Sequence, residues 1–204
     1  NYKRGELHGR QEFWDTKFFN TKYKKAQAAK YNIEGKKHHY LKASRSYTDG
    51  ELDGEAKEFH WNDKPMFEGK YKMSKKDGKF ATYTLDGKLT KESFFVNDTI
   101  DGLSRRWDRY NYTLKSEIGY KMGKNDGVYN QWDNQGKPVV KGLSKGDYKD
   151  GTWKNFYSDS ILKSETTYDA QDSVQAQRWK DKFEYSLHQH YGKNQLIRTD
   201  YGYG

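Results

Sequence analysis

Four glutamates recur at one position of a repeating pattern and are the main candidates for acid–base chemistry. They are Glu68, Glu92, Glu117 and Glu165. A glycosidase needs two carboxylates about 5–9 Å apart in unlike environments, and nothing in the sequence distinguishes any two of these four. Because they recur with the period, we expect a ladder across a sheet, paired with neighbouring lysines such as Lys91 and Lys115.

Metal-dependent and nucleophilic chemistry have weaker candidates. On a strand, His188 and His190 would face the same side, a geometry that can bind metal. No third ligand is evident, so we predict no metal site and no cofactor, with this pair left open. The chain has no cysteine, and its sequence contains no phosphate-binding loop, nucleophile elbow or His-Glu-x-x-His motif. The sequence therefore predicts a protein without enzymatic activity.

The elements that position these residues repeat about every 24 residues. Asp-Gly pairs ending at Gly54, Gly78, Gly102, Gly127 and Gly151 are separated by 24, 24, 25 and 24 residues. An aromatic residue stands five positions after each of these glycines, and usually another seven positions before. Weaker copies begin at Gly9, at Gly35 and, without glycine, near residue 174. Such a period indicates a stack of copies of one supersecondary unit.

Each unit is predicted to be a β-hairpin. Two runs of aromatic and β-branched residues flank Asp86-Gly87, a dipeptide that favours a type I′ turn. Pro65 and Pro138 both fall eleven residues after their unit glycine, where a second strand begins and a missing N–H is tolerated. We expect the unit glycines themselves to form the tight turns between hairpins, because glycine adopts left-handed conformations without a Cβ clash.

The predicted fold is all-β: an elongated single-layer antiparallel sheet of tandem hairpins of about 24 residues. Three regions are expected. Residues 1–53 hold degenerate, basic N-terminal repeats, 54–174 hold the regular repeats, and 175–204 hold a degenerate last repeat with a C-terminal cap or tail.

The phrase Leu-x-x-Glu-x-x-aromatic, begun by Leu89, Leu114 and Leu162, follows each hairpin turn and precedes a Tyr-x-x-Gly-x-x-Asp-Gly segment. Together these motifs resemble the MORN-repeat family, most of all its bacterial variant, over roughly residues 47–174. The unit opened by Gly127 departs from the pattern, with Val139 for the leucine and Lys141 for the glutamate. The resemblance implies a sheet that binds other proteins or lipid head groups, and some bacterial members are named as antitoxin or immunity proteins.

Charge is unevenly distributed along the chain. The net charge is +9, of which residues 1–50 carry +7 and residues 175–204 carry +2, so residues 51–174, which include the regular repeats, are neutral. A repeat face that grips phosphate backbones should be basic, and nucleic acid is therefore an improbable partner. No apolar run approaches the roughly 20 residues that span a bilayer. The lack of thiols and of an initial methionine favours an extracytoplasmic location, in the periplasm or at the outer membrane, with a removed leader left open.

One face of the sheet is predicted to bind a partner. Phe80, Tyr129 and Trp153 share the position two residues after their unit glycines, and Arg106 lies nearby. These side chains could instead provide the aromatic cover that a thin sheet needs on both faces.

The function that follows is a non-catalytic scaffold for protein–protein interaction, in the bacterial cell envelope or as an immunity-type protein. An envelope module that binds glycan or lipid is the alternative.

Overall fold

The computed structural model describes residues 2–18 and 37–171, and every element in them is a β-strand. The strands are β1 (Tyr2–Lys3), β2 (Glu6–Leu7), β3 (Gly9–Phe18), β4 (Lys37–Thr48), β5 (Glu51–Phe59), β6 (Pro65–Lys72), β7 (Lys75–Tyr83), β8 (Leu89–Val96), β9 (Thr99–Ile100), β10 (Gly102–Trp107), β11 (Leu114–Lys121), β12 (Lys124–Trp132), β13 (Pro138–Lys145), β14 (Tyr148–Phe156) and β15 (Leu162–Tyr168). The unit at Gly35, the unit near residue 174, and His188 and His190 lie outside the described residues.

Thirteen strands form one open antiparallel sheet in which neighbours in space are neighbours in sequence. The order runs from β3 to β15, with β10 beside β8 and the two-residue β9 paired with the end of β8. β1 and β2 form a separate two-stranded sheet. Pro65 and Pro138 are the first residues of β6 and β13, as the sequence predicted. The predicted fold class, tandem antiparallel hairpins, is confirmed.

The turn within a hairpin differs from the prediction. At Asp86-Gly87 only the glycine has positive φ, +82°. The loop is closed by the Thr84 N–H donating to the Lys88 carbonyl and the Gly87 N–H donating to the Thr84 carbonyl, both at 2.8 Å. Since a type I′ turn needs positive φ at both central residues, the type I′ assignment here was wrong.

Turns with two successive positive φ values instead connect one hairpin to the next. Between the hairpins of the large sheet they are Asp49-Gly50, Met73-Ser74, Asn97-Asp98, Met122-Gly123 and Gly146-Asp147, and Arg4-Gly5 forms a turn of the same kind between β1 and β2. We call those of the large sheet the inter-unit turns. In each, the N–H of the second residue donates to a carbonyl of the preceding unit, for example Gly123 to Ile100 at 2.9 Å. The inter-unit turns are therefore stacked side by side at one end of the strands. We call this side of the sheet the turn edge.

The unit glycines are not at these turns, which corrects the second part of the prediction. Gly54, Gly78, Gly127 and Gly151 lie inside strands β5, β7, β12 and β14, whereas Gly9 and Gly102 begin β3 and β10. Their positive φ was predicted correctly and reaches +110° at Gly78. The positive φ of Gly78 reflects an irregularity in strand pairing. The register between β6 and β7 shifts next to Gly78, and a glycine of positive φ fits such a bulge.

The aromatic residue seven positions before one unit glycine is directly opposite an earlier unit glycine in the sequence. The cross-strand pairs are Gly9 with Tyr47, Gly54 with Tyr71, Gly78 with Phe95, Gly102 with Tyr120 and Gly151 with Tyr168. An aromatic ring opposite a glycine covers backbone that the missing side chain leaves open. The two sequence periodicities, glycine and aromatic, thus reflect one recurring contact.

A second irregularity recurs in the first strand of every described unit. The register slips between the fourth and fifth residues after the unit glycine, at Phe13/Trp14, Glu58/Phe59, Thr82/Tyr83, Arg106/Trp107, Gln131/Trp132 and Asn155/Phe156. Each slip is a bulge that locally increases the right-handed twist.

Candidate functional site

The two faces of the sheet carry different rows of side chains. One row, directly opposite from strand to strand, consists of Lys57, Glu68, Ala81, Glu92, Arg105, Glu117, Asn130, Lys141, Lys154 and Glu165. We call its side of the sheet the ladder face. All four candidate glutamates belong to this row, which confirms the predicted ladder.

The best-formed part of the ladder is a network across five strands. Glu92 accepts from Lys79 Nζ at 2.8 Å and from Arg105 Nη1 at 3.1 Å. Arg105 Nε also donates to Glu117 Oε1 at 2.8 Å, and Asn130 Nδ2 reaches Glu117 Oε2 at 3.5 Å. The side chain of Glu92 is only 10% exposed, so this carboxylate depends on its cations.

Pairing of the glutamates with cations was predicted correctly, but the named lysines were wrong. Lys91 is opposite Arg106 on the other face, and Lys115 Nζ donates to Asn134 Oδ1 at 2.6 Å. Since successive residues of a strand point to opposite faces, Lys91 points away from Glu92, whereas Lys115, two residues before Glu117, is bonded to Asn134 instead. The partners come from adjacent strands, including Lys57 for Glu68 at 3.9 Å and Lys154 for Glu165 at 3.4 Å.

The electrostatics of the network favour the charged forms of Glu92 and Arg105. Burial works to raise the pKa of Glu92, but hydrogen bonds and charges from Lys79 and Arg105 outweigh it and lower that pKa. Hydrogen bonds to Glu117 and Glu92 raise the pKa of Arg105. A general acid of a glycosidase needs a raised pKa, the opposite of what Glu92 shows. The ladder therefore functions as a set of ion pairs.

A shallow pocket of about 280 Å³ opens on the ladder face where the row has its smallest side chain, Ala81. Tyr83 Oη donates to Glu68 Oε2 at 2.8 Å beside it. Burial, followed by this hydrogen bond, raises the pKa of Tyr83 to about 12. A tyrosine with such a pKa stays protonated at neutral pH and serves as a donor to the ladder.

The opposite side, which we call the aromatic face, carries the residues one position removed from the ladder. They form the runs Ala56, Gly69, Phe80, Ser93 and Ser104, Ile118, Tyr129, Gly142, with Trp153 beyond. Two of the large rings, Phe80 and Trp153, each cover a glycine of the adjacent strand. A Cβ at Gly69 would come within 2.5 Å of the Phe80 ring, and one at Gly142 would overlap Trp153.

Two aromatic clusters hold this face together. The ring centroid of Phe80 lies 5.2 Å from those of Tyr71 and Phe95. That of Trp153 lies 5.1 Å from Tyr129, and its indole N–H donates to the Leu143 carbonyl at 2.6 Å.

Each cluster is covered by a lysine, and the two lysines occupy equivalent positions, two residues before Gly78 and Gly151. Lys76 Nζ lies 5.0 Å from the Phe95 ring centroid, and Lys149 Nζ lies 4.7 Å from that of Trp153. Such cation–π contacts add to the burial of the rings.

The four residues predicted to bind a partner all lie on the aromatic face, but their exposure differs. Phe80 is 7% exposed and Trp153 is 5% exposed, so these rings are enclosed by their neighbours. Tyr129 is half-buried, and Arg106 is exposed. The alternative that the sequence left open, aromatic cover for a thin sheet, describes Phe80 and Trp153; a binding role for this face depends on Arg106 and Tyr129.

The inter-unit turns contain a feature that the sequence reasoning missed. Met73 and Met122 occupy the first central position of their turns with φ of +49° and are 69% and 77% exposed. The same position holds Asp49, Asn97 and Gly146 in the other turns, all residues that tolerate positive φ. Aligning the units at this position would have revealed the two methionines.

The described residues contain neither a cluster of metal-ligating side chains nor a membrane-spanning helix. Within residues 2–18 and 37–171, no group of three or more His, Cys, Asp or Glu is placed to hold a metal ion. The same residues include no helix long and apolar enough to cross a membrane.

The fold and both faces define an open sheet built of tandem β-hairpins. A comparison with protein families identifies the unit: residues 149–170, which cover β14 and β15, match the family described as MORN repeat variant. The match covers one hairpin unit and agrees with the resemblance to the MORN-repeat family that the sequence showed. No curated protein matches the chain.

Proposed function

We propose that this protein is a non-catalytic repeat scaffold that holds a partner protein against its aromatic face. The observation that carries the proposal is the position of Arg106, an exposed cation on the face that also carries the two aromatic clusters. Arginine and tyrosine are enriched among the residues that dominate protein interfaces, and sites on strands are positioned more accurately than sites on loops.

The contact surface would include Arg106 and Tyr129 and be supported from within by Phe80 and Trp153. Arg106 is flanked across the strands by Lys91 and Ser116. The Tyr129 hydroxyl accepts from Gln131 Nε2 at 3.0 Å, which fixes the ring for contact. The lowered pKa of Glu92 supports the absence of acid–base catalysis in this proposal.

Finer versions of the proposal concern place and partner. An envelope location, or an immunity-type role in which the partner is a toxin, rests on the resemblance to bacterial repeat proteins. Binding of glycan or lipid at the envelope is the alternative, since aromatic rings also stack on sugars. Sedimentation with cell walls and with anionic liposomes distinguishes these from binding of a protein.

Affinity capture with matched variants tests the main proposal. Arg106→Glu reverses a charge on the aromatic face, and Lys141→Glu makes the same change on the ladder face. We expect a protein that is recovered by the wild type and by Lys141→Glu but lost with Arg106→Glu. Recovery of no protein above background, or equal recovery by both variants, would contradict the proposal.

A further inference from the structure

Two inter-unit turns share a sequence that the other turns lack. Lys72-Met73-Ser74-Lys75 and Lys121-Met122-Gly123-Lys124 each place an exposed methionine between two lysines. We call them the Lys-Met tips. Both connect the second strand of one hairpin to the first strand of the next, and both lie on the same edge of the sheet.

The left-handed backbone of each tip is not offset by packing of its methionine side chain, although the Met122 N–H donates to Asp101 Oδ2 at 3.2 Å. A left-handed conformation costs an L-residue other than glycine roughly 1–2 kcal/mol, and asparagine and aspartate less. Met73 and Met122 adopt it at φ of +49° while exposing most of their surface, so little packing offsets the strain. Strain retained at an exposed position is a frequent mark of a functional site.

The lysines of each tip are also unfavourably placed. Lys72 is directly opposite Lys75, and Lys121 is directly opposite Lys124. Like charges in this cross-strand relationship destabilise a hairpin. A carboxylate placed between the two ammonium groups would remove the repulsion.

The separation of the tips is fixed by the sheet. Four strand spacings of about 4.8 Å lie between them, which gives roughly 19 Å. The inter-unit turn at Asn97-Asp98 lies between, and backbone hydrogen bonds tie it to Lys76 and tie Gly123 to Ile100, each at 2.9 Å. The two methionines are therefore presented together on a rigid edge.

We propose that the Lys-Met tips form a docking edge for a segment of a partner protein that carries large apolar side chains flanked by acidic residues. The apolar side chains would cover Met73 and Met122, and the carboxylates would lie between the paired lysines. This inference rests on the proposed role as a protein-binding scaffold, but it places the contact on the turn edge and not on the aromatic face.

The charge of the other inter-unit turns favours a discrete peptide over a membrane. The turn at Asn97-Asp98 carries a carboxylate, and the turn at Asp49-Gly50 is followed by Glu51. A flat anionic bilayer would meet these acids together with the tips and gain little net attraction. A peptide can place its acidic residues at the tips alone.

Selection from a displayed random peptide library against the whole chain tests the inference. We expect enrichment of sequences in which acidic residues adjoin Leu, Met or Phe. A selected peptide, synthesised with a fluorophore, should bind the Met73→Asn/Met122→Asn double variant roughly tenfold or more weakly than the wild type, a loss typical of apolar anchor residues. That variant keeps the turn chemistry, so it should fold at least as well as the wild type.

Three controls give each result a meaning. Asn97→Gly changes the same turn position without removing a methionine and should leave peptide affinity unchanged. Peptides that lack acidic residues, or that bind the double variant normally, overturn the docking edge; if their binding falls with Arg106→Glu, the scaffold proposal survives. Pelleting with phosphatidylcholine–phosphatidylglycerol vesicles that is lost in the double variant, without peptide binding, assigns the tips to a membrane and overturns the inference.

Discussion

Asp98 and Lys76 form a reciprocal pair of hydrogen bonds across two units. The Asp98 N–H donates to the Lys76 carbonyl at 2.9 Å, and the Asp98 carboxylate accepts from the Lys76 N–H at 2.8 Å. Asp147 and Asn125 repeat this arrangement at 2.9 and 2.7 Å. The side chain of the turn thus saturates a backbone N–H that would otherwise have no partner in the preceding strand.

Replacing Asp98 tests the importance of this pair. Asp98→Ala removes the hydrogen-bond acceptor and places alanine, which disfavours positive φ, at φ of +66°. We therefore expect a loss of about 2 kcal/mol in the free energy of unfolding. Asp98→Asn keeps an acceptor and tolerates positive φ, and should stay near the wild type. Urea denaturation followed by circular dichroism measures both, and equal stability of the two variants would refute the proposed role of the carboxylate.

Gly142 is expected to be intolerant of any side chain. Gly142→Ala places a methyl group into the Trp153 ring, and overpacking of this kind typically destabilises by about 1–3 kcal/mol. In the Trp153→Leu background the same change should have a smaller effect, because the clash is removed. Thermal unfolding of the four proteins of this double-mutant cycle gives the coupling, and a coupling near zero would exclude the contact.

Arg105 is expected to stabilise the ladder by its position between Glu92 and Glu117. Arg105→Met leaves Glu92 with Lys79 alone and should lower the free energy of unfolding by about 1–2 kcal/mol, a modest value because the guanidinium is partly exposed to solvent. Arg106→Met, one residue along on the other face, is the matched control. Denaturation at neutral pH that shows the two changes to be equivalent would argue against a special role for Arg105.

The ladder should also give the protein a dependence on acid. Because the folded pKa of Glu92 lies below its ordinary value of 4.5, the ionised carboxylate stabilises the fold above that value, and this stabilisation is lost as the pH falls through the folded pKa. Glu92→Gln has no carboxylate to protonate at this position, so the stability of this variant should fall less than that of the wild type as the pH is lowered. Unfolding midpoints measured across this range for both proteins provide the test, and parallel curves would contradict it.

The strain at the Lys-Met tips predicts an unusual gain in stability. Met73→Asn and Met122→Asn should each raise the free energy of unfolding by about 1 kcal/mol, since asparagine is favoured in turns with positive φ. The reverse exchange, Asn97→Met, should lower it by a similar amount. Differential scanning calorimetry measures these changes, and a lower melting temperature for the asparagine variants would show that the methionines make contacts that stabilise the fold.

The order of strands could be predicted from the sequence because it depends on local features. The 24-residue period, the two prolines and the turn residues within each hairpin all report on neighbours in the chain. Gly78 shows where this reasoning stops. Its left-handed backbone was predictable, but its place inside a strand depends on a register shift with β6, which no local pattern reveals.

The faces of the sheet were harder to assign for a related reason. Alternation along β8 places Glu92 and Ser93 on opposite faces, yet it does not show which rings enclose one another. The partner of Glu92 is set by which residue is opposite in the next strand, and Arg105 is thirteen residues away in sequence. Met73 stands out in the sequence only when the units are compared at the inter-unit turns, and its strain follows only from its φ value and its exposure.

The bulge that recurs before the fifth residue of every described unit couples length to rotation. Since each bulge adds a similar increment of right-handed twist, the total rotation from the first strand to the last is set by the number of units. Duplication or loss of one hairpin would therefore rotate all the units beyond it relative to the units before it. A rigid partner that contacts both halves of the sheet would then fit only one number of repeats.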